Sequence, residues 1–213
     1  NGTPVTATYS PEFTKVTPTG KDTSSVNIKG LVQTGTPTFE GGNPLVPIDE
    51  TVAATFEDGS TEKVIPGEGT YAISPDGIVT FTPEANFVGK GTGVTIVRKD
   101  KNGTPVTASY RPTVVDPSTG HDTASTGAKG QPQVATPTFE RHIDSTVPPT
   151  FEDGSTTMVV PGEGSYTIDK DGKITFTPEP DFVGTAKGLV VKRLDMYGNV
   201  VTAHYLEAGF LHV

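Results

Sequence analysis

The 213-residue chain has no cysteine and no tryptophan. Without thiols, no disulfide can staple a module and no thiolate zinc site can form. No apolar run approaches the ~18 residues that cross a bilayer, and no signal-peptide pattern is present. Basic residues are scarce: 16 Lys and Arg stand against 25 Asp and Glu, a net charge of −9. Such a chain repels phosphate backbones and anionic membrane surfaces, so neither nucleic acid nor membrane insertion is expected. Helical periodicity with caps is missing as well. What is plentiful is glycine and proline, with 25 and 19 residues. Together they make about a fifth of the chain, short of the ~25–30% that signals disorder.

Those glycines and prolines recur at fixed places, because the chain repeats itself. Asn1-Gly2-Thr3-Pro4-Val5-Thr6-Ala7 returns unchanged from Asn102 to Ala108. Thr36-Pro37-Thr38-Phe39-Glu40 returns at 136–140, and Thr55-Phe56-Glu57-Asp58-Gly59-Ser60-Thr61 at 150–156. Pro66-Gly67-Glu68-Gly69, Phe81-Thr82-Pro83-Glu84 and Phe87-Val88-Gly89 all return in order. The offset drops from 100 to 95 because Gly41 to Pro47 is replaced by Arg141-His142, as expected of a surface loop. A period near a hundred residues fits a string of domains, each with its own core, and a sandwich of that size folds without staples. The expected division is a tail of a preceding copy over 1–9, one repeat over 10–111 and a second over 112–213.

Within each copy the apolar pattern has period two, as in Ile78-Val79-Thr80-Phe81-Thr82 and Val94-Thr95-Ile96-Val97-Arg98. Turn signals separate these runs: Asp58-Gly59, Pro66-Gly67, Asp76-Gly77 and Asn102-Gly103. The last predicts a type I′ hairpin with φ > 0 at both central residues. The fold class expected is all-β: two tandem antiparallel β-sandwich domains, Ig-like and Greek-key-like, of seven to nine short strands each. Phe56, Tyr71, Phe81, Phe87 and Tyr110, with Phe151, Tyr166, Phe176, Phe182 and Tyr205, are the predicted core anchors. The ending from Leu206 to Val213 does not continue the repeated sequence.

The ordered motifs just quoted, closed by Asn-Gly-Thr-Pro-Val-Thr-Ala-x-Tyr, resemble the CshA-type fibril repeat of streptococcal surface adhesins, over nearly the whole chain, twice. The resemblance implies an extracellular, cell-wall-anchored fibrillar protein. Repeats would form its stalk, with adjacent repeats as neighbours, and a distal region outside this fragment would bind host ligands such as fibronectin. It carries over no catalytic residue and no cofactor.

The repeat also filters candidate chemistry, since chemistry intrinsic to the module belongs in both copies. His121, His142, His204 and His212 fail: none is paired across copies, and the triad letters in His142-Ile143-Asp144-Ser145 lack any defining geometry. Acids do recur: Asp22/Asp122, Glu40/Glu140, Asp49/Asp144, Glu57/Glu152, Asp58/Asp153, Glu68/Glu163, Asp76/Asp171 and Asp100/Asp195. A calcium site would need six or more converging oxygens, and no loop supplies a dense set. Most of these acids sit beside Gly or Pro, where Asp stabilises turns. Lys29 and Lys129 are the lysines kept at equivalent positions. The resemblance to Gram-positive stalk domains suggests an intramolecular cross-link. Its acceptors would be Asn86 and Asp181, with Glu57 and Glu152 assisting proton transfer at a dry site that keeps the amine neutral. The alternative is an edge-strand lysine and a loop-bracing Asn or Asp. The Asn102-Gly103-Thr104 sequon is not retained at Tyr197-Gly198-Asn199.

The function expected is a stalk spacer, with no catalysis. A strand of about ten residues spans ~33 Å, and Ser10-Pro11 and Arg111-Pro112 are expected as extended connectors. The alternative is a repeated low-affinity module for host protein or glycan, acting by avidity.

Overall fold

Alternation and turn chemistry together set the strand pattern. The computed structural model describes residues 1–11 and 15–211, with side chains as far as Leu206. The chain divides into two compact units, Asn1–Val114 and Val115–Val213. The first eleven strands are β1 (Thr19–Lys21), β2 (Thr23–Ile28), β3 (Gln33–Gly35), β4 (Thr38–Glu40), β5 (Thr55–Phe56), β6 (Glu62–Ile65), β7 (Gly69–Ile73), β8 (Val79–Pro83), β9 (Gly89–Lys90), β10 (Val94–Lys99) and β11 (Pro105–Val115). The second set repeats them: β12 (Thr119–His121), β13 (Thr123–Ala128), β14 (Gln133–Ala135), β15 (Thr138–Glu140), β16 (Thr150–Phe151), β17 (Thr157–Val160), β18 (Gly164–Ile168), β19 (Ile174–Pro178), β20 (Gly184–Thr185), β21 (Leu189–Leu194) and β22 (Val200–Leu211).

In the first unit one sheet runs β2-β11-β10-β5, with β9 also on β11, and a second runs β3-β8-β7-β6. The second unit has β13-β22-β21-β16, with β20, against β14-β19-β18-β17. A two-stranded ladder, β1-β4 or β12-β15, completes each unit. It lies close on the long strand: a Cβ on Gly20 would sit 2.2 Å from the Thr107 carbonyl oxygen, and one on Gly120 2.1 Å from that of Thr202.

Inward positions of facing strands fill the core. Tyr71 and Ile73 of β7 and Val79 and Phe81 of β8 are buried, as are Val94 and Ile96 of β10 and Tyr110 and Val114 of β11. Tyr71 lies on Phe81 with ring centroids 4.6 Å apart and meets Tyr110 edge-on at 6.4 Å, so one ring ties both sheets. Tyr166, Phe176 and Tyr205 repeat this at 4.5 and 6.1 Å. Each fully buried aliphatic or Phe side chain contributes about 1.5–3 kcal/mol, which lets a module without staples hold its shape.

Several expectations are corrected. There are eleven strands in each set, because ladders of two or three residues carry no visible alternation. The sheets are not purely antiparallel: β13 runs parallel to β22, from Thr123↔Tyr205 to Ala128↔Leu211. Phe87 and Phe182 are only partly buried and pack on the core from its margin. Arg111-Pro112 is no connector; both residues lie inside β11, where the Pro112 carbonyl accepts from Gly91 N–H at 2.8 Å. A boundary between them therefore cuts a strand. The ending departs in sequence yet continues the strand, since Phe210 pairs with Gly184. Residues 1–9 are exposed and form no strand.

Candidate functional site

The six cross-link candidates do not assemble as that chemistry requires. Lys129 Nζ lies 3.3 Å from Asp181 Oδ1, but the lysine side chain is 51% exposed and the aspartate fully so. Such an exposed pair lacks the dry surroundings that the cross-link chemistry requires. Lys29 follows β2 in a turn and is half-buried, while Asn86 is exposed. Glu152 and Glu57 are exposed and follow β16 and β5, at the opposite edge of the sheet from β13 and β2. Two intervening strands at ~4.8 Å spacing put that edge roughly 14 Å away. The structure thus brings lysine and acceptor together in the second unit and leaves out the helper carboxylate.

Most recurrent acids hold turns. Asp58 Oδ1 accepts from Ser60 N–H at 3.0 Å and Asp153 Oδ1 from Ser155 N–H at 2.9 Å. Asp49 and Asp144 do the same for Thr51 and Thr146, at 3.1 and 2.9 Å. These bonds favour the ionised form, and the Lys101 ammonium, 2.7 Å from Asp49, holds that carboxyl lowest, at about 2. Asp122 accepts from His204 N–H at 2.7 Å, which pulls its pKa down too.

The hairpin at Asn102-Gly103 is built differently from the expected type I′ turn. Asp100 N–H donates to the Thr104 carbonyl at 3.0 Å and Gly103 N–H to the Asp100 carbonyl at 2.9 Å, closing a five-residue loop in which Gly103 has φ 79°. Asn102 is not left-handed; among described non-glycine residues only Arg141 and His142 are, at 63° and 54°. The organising group is Asp100, 1% exposed, whose Oδ1 accepts from Asn102 and Thr104 N–H at 2.9 and 2.8 Å. Asp195 does the same for Tyr197 and Asn199 at 2.9 and 2.8 Å. The shared residue of the two hairpins is therefore the aspartate, which explains why Asn102 is free to vary.

The shortened loop carries strain. Arg141 and His142 replace seven residues and take left-handed φ, which costs a non-glycine residue about 1–2 kcal/mol. His142 anchors the loop through its carbonyl, 2.6 Å from Met196 N–H, and its ring lies 5.6 Å from Tyr197. His121 approaches Glu140 at 3.5 Å and His204 approaches Asp122 at 3.2 Å. His212 lies outside the described residues.

Sequence reasoning missed three buried polar groupings. Ser25 Oγ donates to Gln33 Oε1 at 2.6 Å and lies 2.6 Å from the Tyr110 hydroxyl, while Gln33 Nε2 donates to the Thr113 carbonyl at 2.9 Å. Ser125, Gln133 and Tyr205 repeat the trio. Glu68, 7% exposed, accepts from the Tyr71 hydroxyl at 2.5 Å and from Thr92 N–H and Oγ1 at 2.8 and 2.7 Å. Arg98, 5% exposed, donates to the Asp76 carbonyl at 3.0 Å and pairs with Glu50 at 2.5 Å. Ser25/Ser125 and Gln33/Gln133 share the offset of 100, so the same repeat filter applied to polar residues inside strands identifies them. Burial pushes the Tyr110 and Tyr205 hydroxyls up, and that of Tyr166 up to about 12.

Each unit has a groove at the same place. In the first it is about 340 Å³ and lined by Glu57, Lys63, Thr92, Thr95, Ser109 and Arg111, among others. In the second it is about 510 Å³, and the matching residues are Glu152, Met158, Lys187, Val190, His204 and Leu206. The position is retained while the chemistry is exchanged. Among the described residues no three His, Asp or Glu side chains converge as metal ligands.

Comparison with known families matches the surface adhesin CshA repetitive domain to residues 15–114 and again to 116–208. Among solved structures, repeat domain 13 of the fibrillar adhesin CshA from Streptococcus gordonii is 71% identical, over 34% of this chain and 94% of that domain, with a TM-score of 0.20. Mouse cadherin-23 EC22–24 is 13% identical over 93% of this chain and 65% of that one, with a TM-score of 0.34. Mouse clustered protocadherin PcdhgC3 EC1–3 is 12% identical over 90% and 66%, with a TM-score of 0.35. No curated protein matches the chain.

Proposed function

Because this chain belongs to the family of the surface adhesin CshA repetitive domain, we propose that its two units are non-catalytic spacer repeats in the stalk of a wall-anchored fibril. Their partners in that stalk are adjacent repeats, and a distal region outside this sequence binds host ligands such as fibronectin. The observation that carries this reading is the internal use of most recurrent polar groups. Acids cap turns, Ser25-Gln33-Tyr110 and Ser125-Gln133-Tyr205 tie strands together, and the two cores close separately. A module whose repeated chemistry serves its own shape contributes length. At ~3.4 Å per residue the eleven-residue β11 spans about 37 Å.

The avidity reading requires a weak site shared between units. The two grooves share a position but exchange Lys63 for Met158 and Arg111 for Leu206, so one ligand does not suit both. The test is small-angle scattering on chains of increasing repeat number, paired with binding to fibronectin-coated beads. Maximum dimension is expected to grow linearly with repeat number, with no saturable binding. A dimension that stops growing, or saturable binding by the two-unit chain, overturns the spacer reading.

A further inference from the structure

The open edge of the four-stranded sheet differs between the units. In the first it is β6, Glu62-Lys63-Val64-Ile65; in the second it is β17, Thr157-Met158-Val159-Val160, with no charge. An edge strand displays unpaired N–H and C=O groups, and charged side chains are a common device against pairing with another chain. β6 has that device and β17 has lost it. Val159 is 73% exposed.

The phase of the backbone is set by the pairing with β18. Ile168 N–H donates to the Thr156 carbonyl at 3.0 Å, and Met158 lies opposite Tyr166. In an antiparallel ladder the direction of these groups alternates, so residues 156, 158 and 160 turn theirs to β18. Thr157 and Val159 turn theirs to the open edge. On the core side Met158 and Val160 line the groove with Leu189, Val190 and Leu206. Lys63, Thr95 and Arg111 stand in the first unit where Met158, Val190 and Leu206 stand here.

We propose that β17 is a self-docking edge, which pairs antiparallel with β17 of a second copy of this chain about a two-fold axis at Val159. A two-fold axis normal to the sheet keeps each face on its own side, so opposed residue numbers sum to an even value. Centring on Val159 sets Val159 against Val159 of the second copy, and their outward N–H and C=O groups bond reciprocally. Met158 then faces Val160 of the second copy on the groove side, twice. The strand is its own complement, and no like charges oppose. The same register in β6 would set Lys63 against Ile65, bringing two lysines to the seam. Pro161 has no N–H and ends the ladder. Four residues a side fall well below the ~1,000 Å² of a stable interface, so one pair is weak. Repetition along a fibril would strengthen it; that use rests on the spacer reading, whereas self-pairing of the isolated chain does not.

The chain has no native thiol, so single-cysteine variants of the full 213-residue protein report the pairing directly. Across the two-fold axis the residue-159 Cα atoms would lie ~5.5 Å apart, inside the ~4.4–6.8 Å range of a disulfide. Under mild oxidation Val159→Cys is expected to dimerise at least about tenfold faster than Val64→Cys, because pairing raises the effective thiol concentration. Adding Met158→Lys, the residue that β6 already accommodates, is expected to return Val159→Cys to the Val64→Cys rate. Sedimentation equilibrium of the cysteine-free chain should show weak association that Met158→Lys removes. Equal oxidation rates overturn the proposal, as does dimerisation indifferent to Met158→Lys. So does a chain that stays monomeric up to millimolar concentration while β17 captures an unrelated extended peptide.

Discussion

Replacing Tyr71 by Phe and Tyr166 by Phe makes the same chemical change at equivalent core positions, with unequal expected cost. The Tyr71 hydroxyl donates to the buried Glu68 carboxylate at 2.5 Å and accepts from Gly93 N–H at 3.1 Å. A hydrogen bond to a charged group contributes about 1.5–3 kcal/mol, and an N–H left without its acceptor adds to the loss. Glu68 keeps its bonds from Thr92 N–H and Oγ1, so the carboxylate is not stranded and the loss stays near 2–3 kcal/mol. For a domain of this size that is a fall in Tm of about 8–24 °C. Tyr166 has no such partner: its hydroxyl faces Gly188 N–H without hydrogen-bond geometry, and Glu163 instead accepts from Lys187 N–H at 3.0 Å. Tyr166→Phe should therefore change stability by less than about 0.5 kcal/mol. Thermal unfolding followed by NMR reads the two units separately. Equal losses in both units, or a larger loss for Tyr166→Phe, would refute the assignment of stability to the Glu68 bond.

Asp100→Ala should cost about 2 kcal/mol or more in urea melts, since two turn N–H groups lose their carboxylate acceptor, while Asn102→Ala stays within about 0.5 kcal/mol. The reverse order would restore Asn102 as the turn's determinant. On the acid side, the folded pKa values of Asp49, Asp58, Asp122, Asp144, Asp153 and Asp169 lie below their ordinary values. Their stabilisation is complete above the unfolded value near 3.8 and is lost as pH falls toward about 2, the value for Asp49; circular dichroism should locate the acid limb there, not at pH 5–7. Tyr166 is shifted the other way, so its contribution is complete below its ordinary value of 10.0 and is lost as pH rises through about 12, which tyrosinate absorbance can follow. The intact mass should equal the sequence mass; loss of water for Lys129–Asp181 or ammonia for Lys29–Asn86 would show a cross-link despite its exposure.

The candidate chemistry was legible only in part. The repeat filter picked out Lys29 and Lys129, and the resemblance supplied Asn86 and Asp181 as acceptors; of these pairs Lys129 and Asp181 do meet. It could not show that Glu152 sits at the far edge of the sheet, since strand order is not written in strand sequence. Asp100 and Asp195 were visible as recurrent acids beside turns. Their burial, and hence their control of the hairpin, depends on Ile48 and Ile143 bridging to them from distant loops.

The sequence by itself determined the two-fold repetition, the β class, the turn sites and most of the core, because period-two burial and Gly or Pro backbone limits act within a few residues. Tertiary structure alone decided what a given strand becomes. Thr123–Ala128 joins its sheet parallel to β22, whereas Gln133–Ala135, five residues on, joins the other sheet antiparallel to β19, and neither strand's own residues specify that choice. A β-strand is completed by the backbone beside it, and the same residues without that neighbour have nothing to bond or bury.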